Sequence, residues 1–269
     1  MRVVSALVGW HVCLAGQPPA WWKPGMPPHE MPVDLVEEFT LGGRVPTATM
    51  YIDDTVGGGG THYKATRDQI EGMVTRYKSM VETRPDPKLA WLFEALAAHP
   101  VTGQHVVVFG SMEPTAEGVL LAHGAGRVTT VEYNNLTYEH PLLTQIKPEE
   151  LQQQHQAFDA AVSLSSFDHD GLGRYGDPVD PTGDVKAMAT VGKVLKPTGL
   201  LYLTVPIGPD VVVWNLHRRY GRARLPLLLQ GWDVVDRYGW DADLLEADAN
   251  WRRSYEPVHV LRRVQKQEL

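Results

Sequence analysis

A chain of 269 residues with 43% hydrophobic and 21% charged residues is long and apolar enough to bury a sizeable core. Its formal net charge of −7 argues against a general nucleic-acid-binding protein, because such a protein needs a basic face to displace counterions. With Cys13 as its single cysteine, the chain can form neither an intrachain disulfide nor a cysteine-rich zinc site.

The first sixteen residues, MRVVSALVGWHVCLAG, are mostly apolar and are interrupted by His11. This stretch predicts no stable membrane span, since crossing a bilayer takes about 20 apolar residues. Two interpretations stay open. We favour a buried helix or strand of a cytoplasmic protein, and the alternative is a weak signal peptide that directs the chain to the secretory pathway.

The first hundred residues predict an irregular and helical N-terminal extension. Residues 17–62 are rich in proline and glycine, which remove backbone donors and raise the entropy lost on ordering. The run Gly57–Gly60 could cradle a phosphate, but the Lys-Ser/Thr ending of a P-loop is missing, so a connector or lid is favoured. Helical periodicity then predicts two amphipathic helices, over 65–83 and 88–99.

From residue 104 onward, strands alternate with helices. Predicted strands cover 105–110, 127–133, 158–166 and 199–206, predicted helices cover 113–124, 148–156 and 184–195, and a closing antiparallel pair of strands is predicted at 232–239 and 257–264. Apolar strands that alternate with helices indicate a mostly parallel sheet covered on both faces. The expected fold is therefore α/β, doubly wound and Rossmann-like, over residues 101–269 after an extension over 1–100.

Three polar segments come at the carboxyl ends of the predicted strands, where open parallel sheets bind their ligands. They are FGSMEP at 109–114, VEYNN at 131–135 and SSFDHDG at 165–171. Glu132 lies 22 residues beyond Gly110, and a carboxylate at that place can accept hydrogen bonds from both hydroxyls of a ribose. The alternative for Glu132 is an ordinary surface side chain at a strand end.

The order VVVFGS, TVEYN, FDAAVSLSSFDHDG and VGKVLKPTGLLYLTVPIG resembles the class I S-adenosylmethionine-dependent methyltransferases, roughly over residues 104–207. In its details the chain is most similar to a family catalogued as a domain of unknown function and first described in nematodes. The resemblance implies methyl transfer from S-adenosylmethionine to a small polar acceptor, a sugar or another metabolite. It implies cofactor contacts from Gly110, Ser111, Glu113, Glu132, Tyr133, Asn134, Ser165 and Ser166.

The turn after the first predicted strand departs from those methyltransferases, which usually carry Gly-x-Gly-x-Gly there. Here Gly110 is followed by Ser-Met-Glu-Pro, and the next glycine is Gly118. The hydroxyl of Ser111 could bind the carboxylate or amine of the cofactor, and Glu113 could pair with its ammonium group.

The loop over 165–184 carries many side chains that are capable of chemistry. By the resemblance, its first residues face the methyl group and the acceptor, so His169 is the predicted base and Asp168 and Asp170 are the acids that orient it. The predicted substrate-binding residues are Arg174, Tyr175, Asp177, Arg218 and Arg219. Alternatively, the acids cap turns and the arginines of HRRYGRAR form a solvated helix face.

The same loop leaves other function classes open. A hydrolytic or metal-assisted enzyme on the same scaffold would use its acids and histidine, although their spacing is not that of a calcium loop and we predict no metal site. A non-catalytic binding module is the third class. The expected partner is a small anionic or hydroxylated molecule, and neither nucleic acid nor a membrane is expected.

Overall fold

The structure is a computed structural model that describes residues 26–55, 61–83, 87–246, 250–252 and 255–265. The apolar N-terminal stretch and the run Gly57–Gly60, for which the sequence makes predictions, lie outside these residues. Within the described ranges, no helix is long and apolar enough to cross a membrane.

The described residues form twelve strands, seven α-helices and two 3-10 helices. The strands are β1 (Thr47–Thr49), β2 (His62–Ala65), β3 (His105–Phe109), β4 (Arg127–Val131), β5 (Asn135–Tyr138), β6 (Leu143–Ile146), β7 (Phe158–Leu164), β8 (Leu195–Thr204), β9 (Val211–Trp214), β10 (His217–Arg219), β11 (Trp232–Tyr238) and β12 (Val258–Arg263). The α-helices are α1 (Val36–Phe39), α2 (Arg67–Thr83), α3 (Pro87–Ala98), α4 (Thr115–Ala122), α5 (Pro148–Leu151), α6 (Gly183–Val194) and α7 (Arg224–Leu228). Two 3-10 helices cover Val33–Leu35 and Ala242–Leu245.

The central sheet has seven strands in the order β6-β4-β3-β7-β8-β12-β11. The strands from β6 to β8 are parallel, and β12 runs antiparallel to both β8 and β11. The chain moves outward from β3 through β4 to β6 and then returns to the other side of β3 with β7. The strand order therefore reverses beside β3, and such a switch point leaves a crevice at the carboxyl ends of the strands.

Helices cover both faces of this sheet because its strands are apolar on both sides. In β3, Val106 and Val108 belong to one hydrophobic cluster, which includes side chains of α2, α3 and α4. Val107 and Phe109 belong to a second cluster, which includes side chains of α6 and α7. Alternation along one strand thus supplies both layers, and this confirms the predicted doubly wound α/β fold.

The region before residue 100 is joined to the sheet domain by strand pairing and by packing. β1 pairs with β9 and β2 pairs with β5, both in parallel, and Ile70 of α2 shares its hydrophobic cluster with Val106 of β3. The packing is therefore continuous across residue 100. The division into 1–100 and 101–269 stays a prediction about domains.

Several elements differ from the sequence prediction. The helix predicted over 148–156 ends at Leu151, since the polar run Gln152–Gln156 offers no apolar side chain to bury. The strands β1, β2, β5, β6, β9 and β10 were not predicted. β6 and β10 are short, and β9 obtains its partner β1 from a distant part of the chain.

Candidate active site

A cleft of about 620 Å³ lies outside the carboxyl ends of β3, β4 and β7. Its lining contains most of the predicted site residues, namely Gly110, Ser111, Glu113, Glu132, Tyr133, Ser165, Ser166, His169, Asp170, Tyr175 and Asp177. The three polar segments predicted to converge at this edge of the sheet therefore do converge there.

Gly110 is required by the turn after β3. Its φ of +69° is in the left-handed region, and a Cβ added there would lie 2.1 Å from the Oγ of Ser166. The amide of Gly110 also donates to the carbonyl of Val131, 3.0 Å away. The turn after β3 is thus packed tightly against the end of β4 and the start of the loop after β7.

The carboxylate of Glu132 is mostly engaged by the backbone at the end of β4. Its Oε2 accepts from the amide of Ser111 at 3.1 Å, and its Oε1 accepts from the amide and side-chain nitrogen of Asn134 at 2.9 and 3.3 Å. Each carboxylate oxygen has two lone pairs, so Oε2 keeps one for a ligand. Asn134 lies behind Glu132 and does not line the cleft.

Glu117 is a buried acid beneath this turn that was not predicted as a site residue. Its Oε1 accepts from the hydroxyl of Thr130 at 2.6 Å, and its Oε2 lies 3.0 Å from the Oγ of Ser111, which is also 2.8 Å from the carbonyl of Glu113. Burial raises the pKa of Glu117 to about 7. Because the Ser111 hydroxyl has one hydrogen and the carbonyl can only accept, the full network is satisfied when Glu117 is protonated.

The loop after β7 forms one wall of the cleft. Its shape is fixed by hydrogen bonds from its own backbone amides to the side chain of Asp177. The carboxylate of Asp177 accepts from the amides of Gly171, Gly173 and Tyr175 at 2.7, 3.0 and 3.2 Å. Gly171 and Gly173 have positive φ angles, which glycine adopts without strain. Tyr175 and Asp177 therefore face the cleft from an ordered loop.

Three arginines predicted to bind substrate do not line the cleft. Arg174 pairs with Asp54 of the N-terminal region at 2.6 Å, instead of with a carboxylate of its own loop. Arg218 is fully buried and donates to the carbonyls of Asp170 and Asp180. Arg219 is also buried, and its Nε donates to the carbonyl of Pro209 at 2.8 Å. These predictions are corrected because the β9–β10 hairpin, and not a solvated helix, places Arg218 and Arg219 in the interior.

His169 is held as a neutral imidazole. Its Nδ1 bonds to the carbonyl of Leu216, which can only accept, so Nδ1 carries the proton. Its Nε2 lies 3.4 Å from Oδ2 of Asp168. Burial, together with the charge of Arg174, lowers the pKa of His169 to about 4. Nδ1 is thus bonded to the backbone, while the unprotonated Nε2 faces the carboxyl group of Asp168.

Asp168 is a fully buried carboxyl that lies between two histidines. Its Oδ2 is 3.4 Å from Nε2 of His169 and 4.0 Å from Nδ1 of His217. Neither carboxyl oxygen has a hydrogen-bond partner among the described residues. Burial raises the pKa of Asp168 to about 7. The pKa of Asp170, which lines the cleft, is also raised by burial and by the charge of Asp177.

A second cavity of about 460 Å³ adjoins the cleft, and Ser165 and His169 line both. Ser165 has a φ of +48°, which is strained for a residue with a Cβ. We call this space the second cavity, and its lining is Met50, Ser165, Asp168, His169, Pro206, Leu216, His217, Trp251, Arg252 and Glu256. His217 and Trp251 were not predicted as site residues.

The acids of the loop do not gather around a common point. In the described part of the chain, no group of three or more histidine, cysteine, aspartate and glutamate side chains is arranged to hold a metal ion. The oxygens of Asp177 accept from backbone amides, and Asp180 pairs with Lys186.

Comparison with known proteins identifies the family. Residues 103–256, more than half of the chain, match the family described as "Caenorhabditis protein of unknown function, DUF268". The chain belongs to this family. The family predicted from the sequence is thereby confirmed, while no curated protein matches the chain.

Solved structures similar to the chain include several methyltransferases. The 1,6-didemethyltoxoflavin-N1-methyltransferase of Burkholderia thailandensis is 15% identical, with 75% of this chain and 92% of that one covered and a TM-score of 0.45. The putative methyltransferase bound to the Trm112 activator of Haloferax volcanii is 16% identical, with 76% and 100% covered and a TM-score of 0.45. A TehB-like methyltransferase of Corynebacterium glutamicum is 13% identical, with 73% and 99% covered and a TM-score of 0.40.

Proposed function

We propose that the protein transfers a methyl group from S-adenosylmethionine to a small hydroxylated molecule. The observation that carries the proposal is the charge of the cleft at the strand switch point. Among its described lining residues there is one lysine, Lys186, which pairs with Asp180. Five carboxyl side chains line the same cleft, namely Glu113, Glu132, Asp170, Asp177 and Asp180.

This charge balance distinguishes between cofactors that bind at such switch points. S-adenosylmethionine carries a sulfonium and an ammonium against one carboxylate, so it is a net cation that an acidic cleft attracts. A nicotinamide dinucleotide carries two phosphates, which need amide groups or arginines, and the carboxylates would repel them. The cleft therefore favours S-adenosylmethionine.

The residues at the turn fit this cofactor. The free lone pair of Glu132 Oε2 can accept from a ribose hydroxyl, and Val131 and Leu151 beside it supply apolar surface for a purine. Glu113 lines the cleft within the turn after β3, where it can pair with the ammonium of the methionine part. The hydroxyl of Ser111 is used inside the protein, so we assign it no cofactor contact.

The bound cofactor supplies an electrophilic methyl group on a sulfonium. The chain's own residues align the acceptor with that group, exclude water and receive a proton. We propose that transfer takes place beside His169 and Ser165, because these residues line both the cleft and the second cavity.

Calorimetric titration with S-adenosylmethionine and S-adenosylhomocysteine tests the proposal. We expect both to bind with a Kd in the micromolar range, and NADH not to bind. The substitution Glu132→Gln should weaken both roughly 10-fold or more, because a hydrogen bond to a charged group is worth about 1.5–3 kcal/mol. Glu38→Gln, at an exposed position on α1, is the matched control and should change nothing. The absence of binding at millimolar concentration, or tighter binding of NADH, would contradict the proposal.

A further inference from the structure

We propose that the second cavity binds the methyl acceptor, a small neutral molecule with a hydroxyl group and an apolar face, and that His217 is the base that takes the hydroxyl proton. This inference rests on the proposed methyl transfer and deepens it. It differs from the sequence prediction, in which His169 is the base.

The walls of the second cavity indicate the class of acceptor. Met50, Pro206, Leu216 and Trp251 present apolar and aromatic surface, which suits the face of a ring or a hydrocarbon part. The charged lining residues are Arg252 and Glu256, of opposite sign, and the buried Asp168. Among the described lining residues there is thus no excess of positive charge to bind an anion, so a neutral acceptor is favoured over an anionic one.

The second cavity is placed for transfer from the cleft. Ser165 and His169 belong to the linings of both spaces, so an acceptor in the second cavity and a cofactor in the cleft would lie against the same two residues. The strained backbone of Ser165 lies at this junction. Strained residues of this kind cluster at active sites, because the surrounding structure has to hold them in place.

His217 is better placed than His169 to act as the base. His169 bonds through Nδ1 to the carbonyl of Leu216, and its one unprotonated nitrogen, Nε2, faces the buried carboxyl of Asp168 at 3.4 Å, so that nitrogen is directed at a protein acid and not at an acceptor. The ring of His217 makes no hydrogen bond to any described residue, and its Nδ1 is 4.0 Å from Asp168. Its side chain is 9% exposed and lines the second cavity. Burial lowers the pKa of His217 to about 4, so the ring is neutral in the resting protein and has one unprotonated nitrogen.

Asp168 is the positioning residue for this base. It is fully buried, and both of its oxygens lack a hydrogen-bond partner among the described residues, although two imidazoles lie within 4.0 Å of Oδ2. Buried carboxyl oxygens are rarely left without partners. A protonated His217 would place its positive charge 4.0 Å from Oδ2 of Asp168, so a charged Asp168 would stabilise the imidazolium that forms during the reaction.

The chemical step balances without a further reactant. The acceptor oxygen attacks the sulfonium methyl carbon and forms the new C–O bond. The C–S bond breaks, and its electron pair stays on sulfur, leaving S-adenosylhomocysteine. The hydroxyl proton passes to Nε2 of His217 and from there to solvent.

The test measures S-adenosylhomocysteine production with benzyl alcohol, methyl β-D-glucoside and phenol as neutral probes and 4-hydroxybenzoate as an anionic one. We expect at least one neutral probe to be methylated, and faster than the anion. His217→Asn should lower kcat at least 100-fold and leave the Kd of S-adenosylhomocysteine within twofold, since general-base catalysis contributes about 10²–10⁴. The loss should be smaller for phenol, whose hydroxyl is more acidic than that of an alcohol.

Matched variants separate the two histidines. In His169→Asn the amide can still donate towards Leu216, so we expect a loss of kcat of less than 10-fold. Trp251→Ala should raise the KM of the probe with little change in kcat, and His155→Asn, at an exposed position outside both cavities, should have no effect. If His217→Asn does not fold, His217→Gln replaces it, and binding of S-adenosylhomocysteine reports folding.

The outcomes distinguish this inference from the proposed function. If the wild-type protein does not bind S-adenosylhomocysteine, the proposed methyl transfer fails and the inference fails with it. If it binds but methylates no neutral hydroxyl probe, or if His169→Asn abolishes transfer and His217→Asn does not, the inference is overturned while the cofactor proposal stands.

Discussion

Two regions of the candidate site each contain a fully buried carboxyl group. Glu117 lies beneath the cleft, and Asp168 lies in the wall of the second cavity. Burial raises the pKa of both to about 7. Their surroundings differ. Glu117 has a hydroxyl neighbour at each oxygen, Thr130 and Ser111, whereas neither oxygen of Asp168 has a hydrogen-bond partner among the described residues.

This difference separates a structural acid from a functional one. A buried acid whose hydrogen bonds are complete stabilises the fold in its neutral form, and Glu117 thereby fixes the turn after β3. A buried acid with no partners is unfavourable in the resting protein, by about 1–3 kcal/mol for each unsatisfied group. Such an acid is explained by a partner that forms only during the reaction, which for Asp168 is the protonated His217.

The largest effect is expected at Asp168. Asp168→Asn keeps the size of the side chain but removes the negative charge that would stabilise an imidazolium, so kcat should fall between about 100- and 10,000-fold. The Kd of S-adenosylhomocysteine should not change. The free energy of unfolding should not decrease, since a neutral amide is more easily buried than a carboxylate. Radiolabelled methyl transfer, calorimetry and thermal denaturation measure the three quantities.

A different result would remove the contrast between the two acids. If Asp168→Asn keeps full activity and is less stable than wild type, Asp168 stabilises the fold as Glu117 does. The same measurements on Asp159→Asn, a partly exposed acid that pairs with Lys196 at the opposite end of β7, provide the control.

The next effect is on stability and depends on pH. The pKa of Glu117 is raised from 4.5 to about 7, mainly by burial and against the hydrogen bonds of Thr130 and Ser111, with Glu132 adding to the rise. Between these two values the folded chain keeps a proton that the unfolded chain has released. The free energy of unfolding therefore falls by on the order of 3 kcal/mol as the pH rises through this window, and it stays constant above the window.

Glu117→Gln tests that dependence. Its amide can donate to Ser111 and its carbonyl can accept from Thr130, as the protonated acid does, but it cannot ionise. Denaturant titrations should give equal free energies of unfolding below about pH 4.5 and a variant more stable by up to about 3 kcal/mol near pH 8. Activity should be retained. If wild type and Glu117→Gln are equally stable at both pH values, the folded protein does not retain the proton of Glu117 between them, and the prediction is wrong.

Much of the fold could be predicted because its central strands are continuous apolar runs. HVVVF and FDAAVSL are buried on both faces, which only a covered parallel sheet allows. The strands β6 and β10 are short and mixed in character, and they become strands only through partners elsewhere in the chain. The run Val211–Trp214 did carry a signal for β9, since three valines and a tryptophan favour extended structure.

The site could be predicted in position but not in the role of each side chain. Strand alternation puts His217 and Arg219 on one face of β10 and Arg218 on the other, but the sequence does not say which face meets the cavity. His169 lies at the expected strand exit, and the sequence could not show that its Nδ1 bonds to the carbonyl of Leu216 and that its Nε2 faces Asp168. Glu117, an acid within an otherwise apolar helix directly after the turn, could have been noticed.

The smallest expected effect comes from making Glu117 more like Asp168. Ser111→Ala removes one of the two hydroxyl groups that Glu117 contacts and should lower the free energy of unfolding by about 1 kcal/mol, the usual worth of one hydrogen bond. When Ser111→Ala is introduced into the Glu117→Gln variant, the free energy of unfolding should fall by a similar amount near pH 8. The Kd of S-adenosylmethionine should change less than threefold, because the hydroxyl faces Glu117 and the Glu113 carbonyl while the amide of Ser111, which holds Glu132, is kept. Calorimetry and denaturant titration of the four proteins in this cycle measure both quantities. A tenfold loss of cofactor affinity in Ser111→Ala would show that the hydroxyl contacts the cofactor, as the sequence predicts.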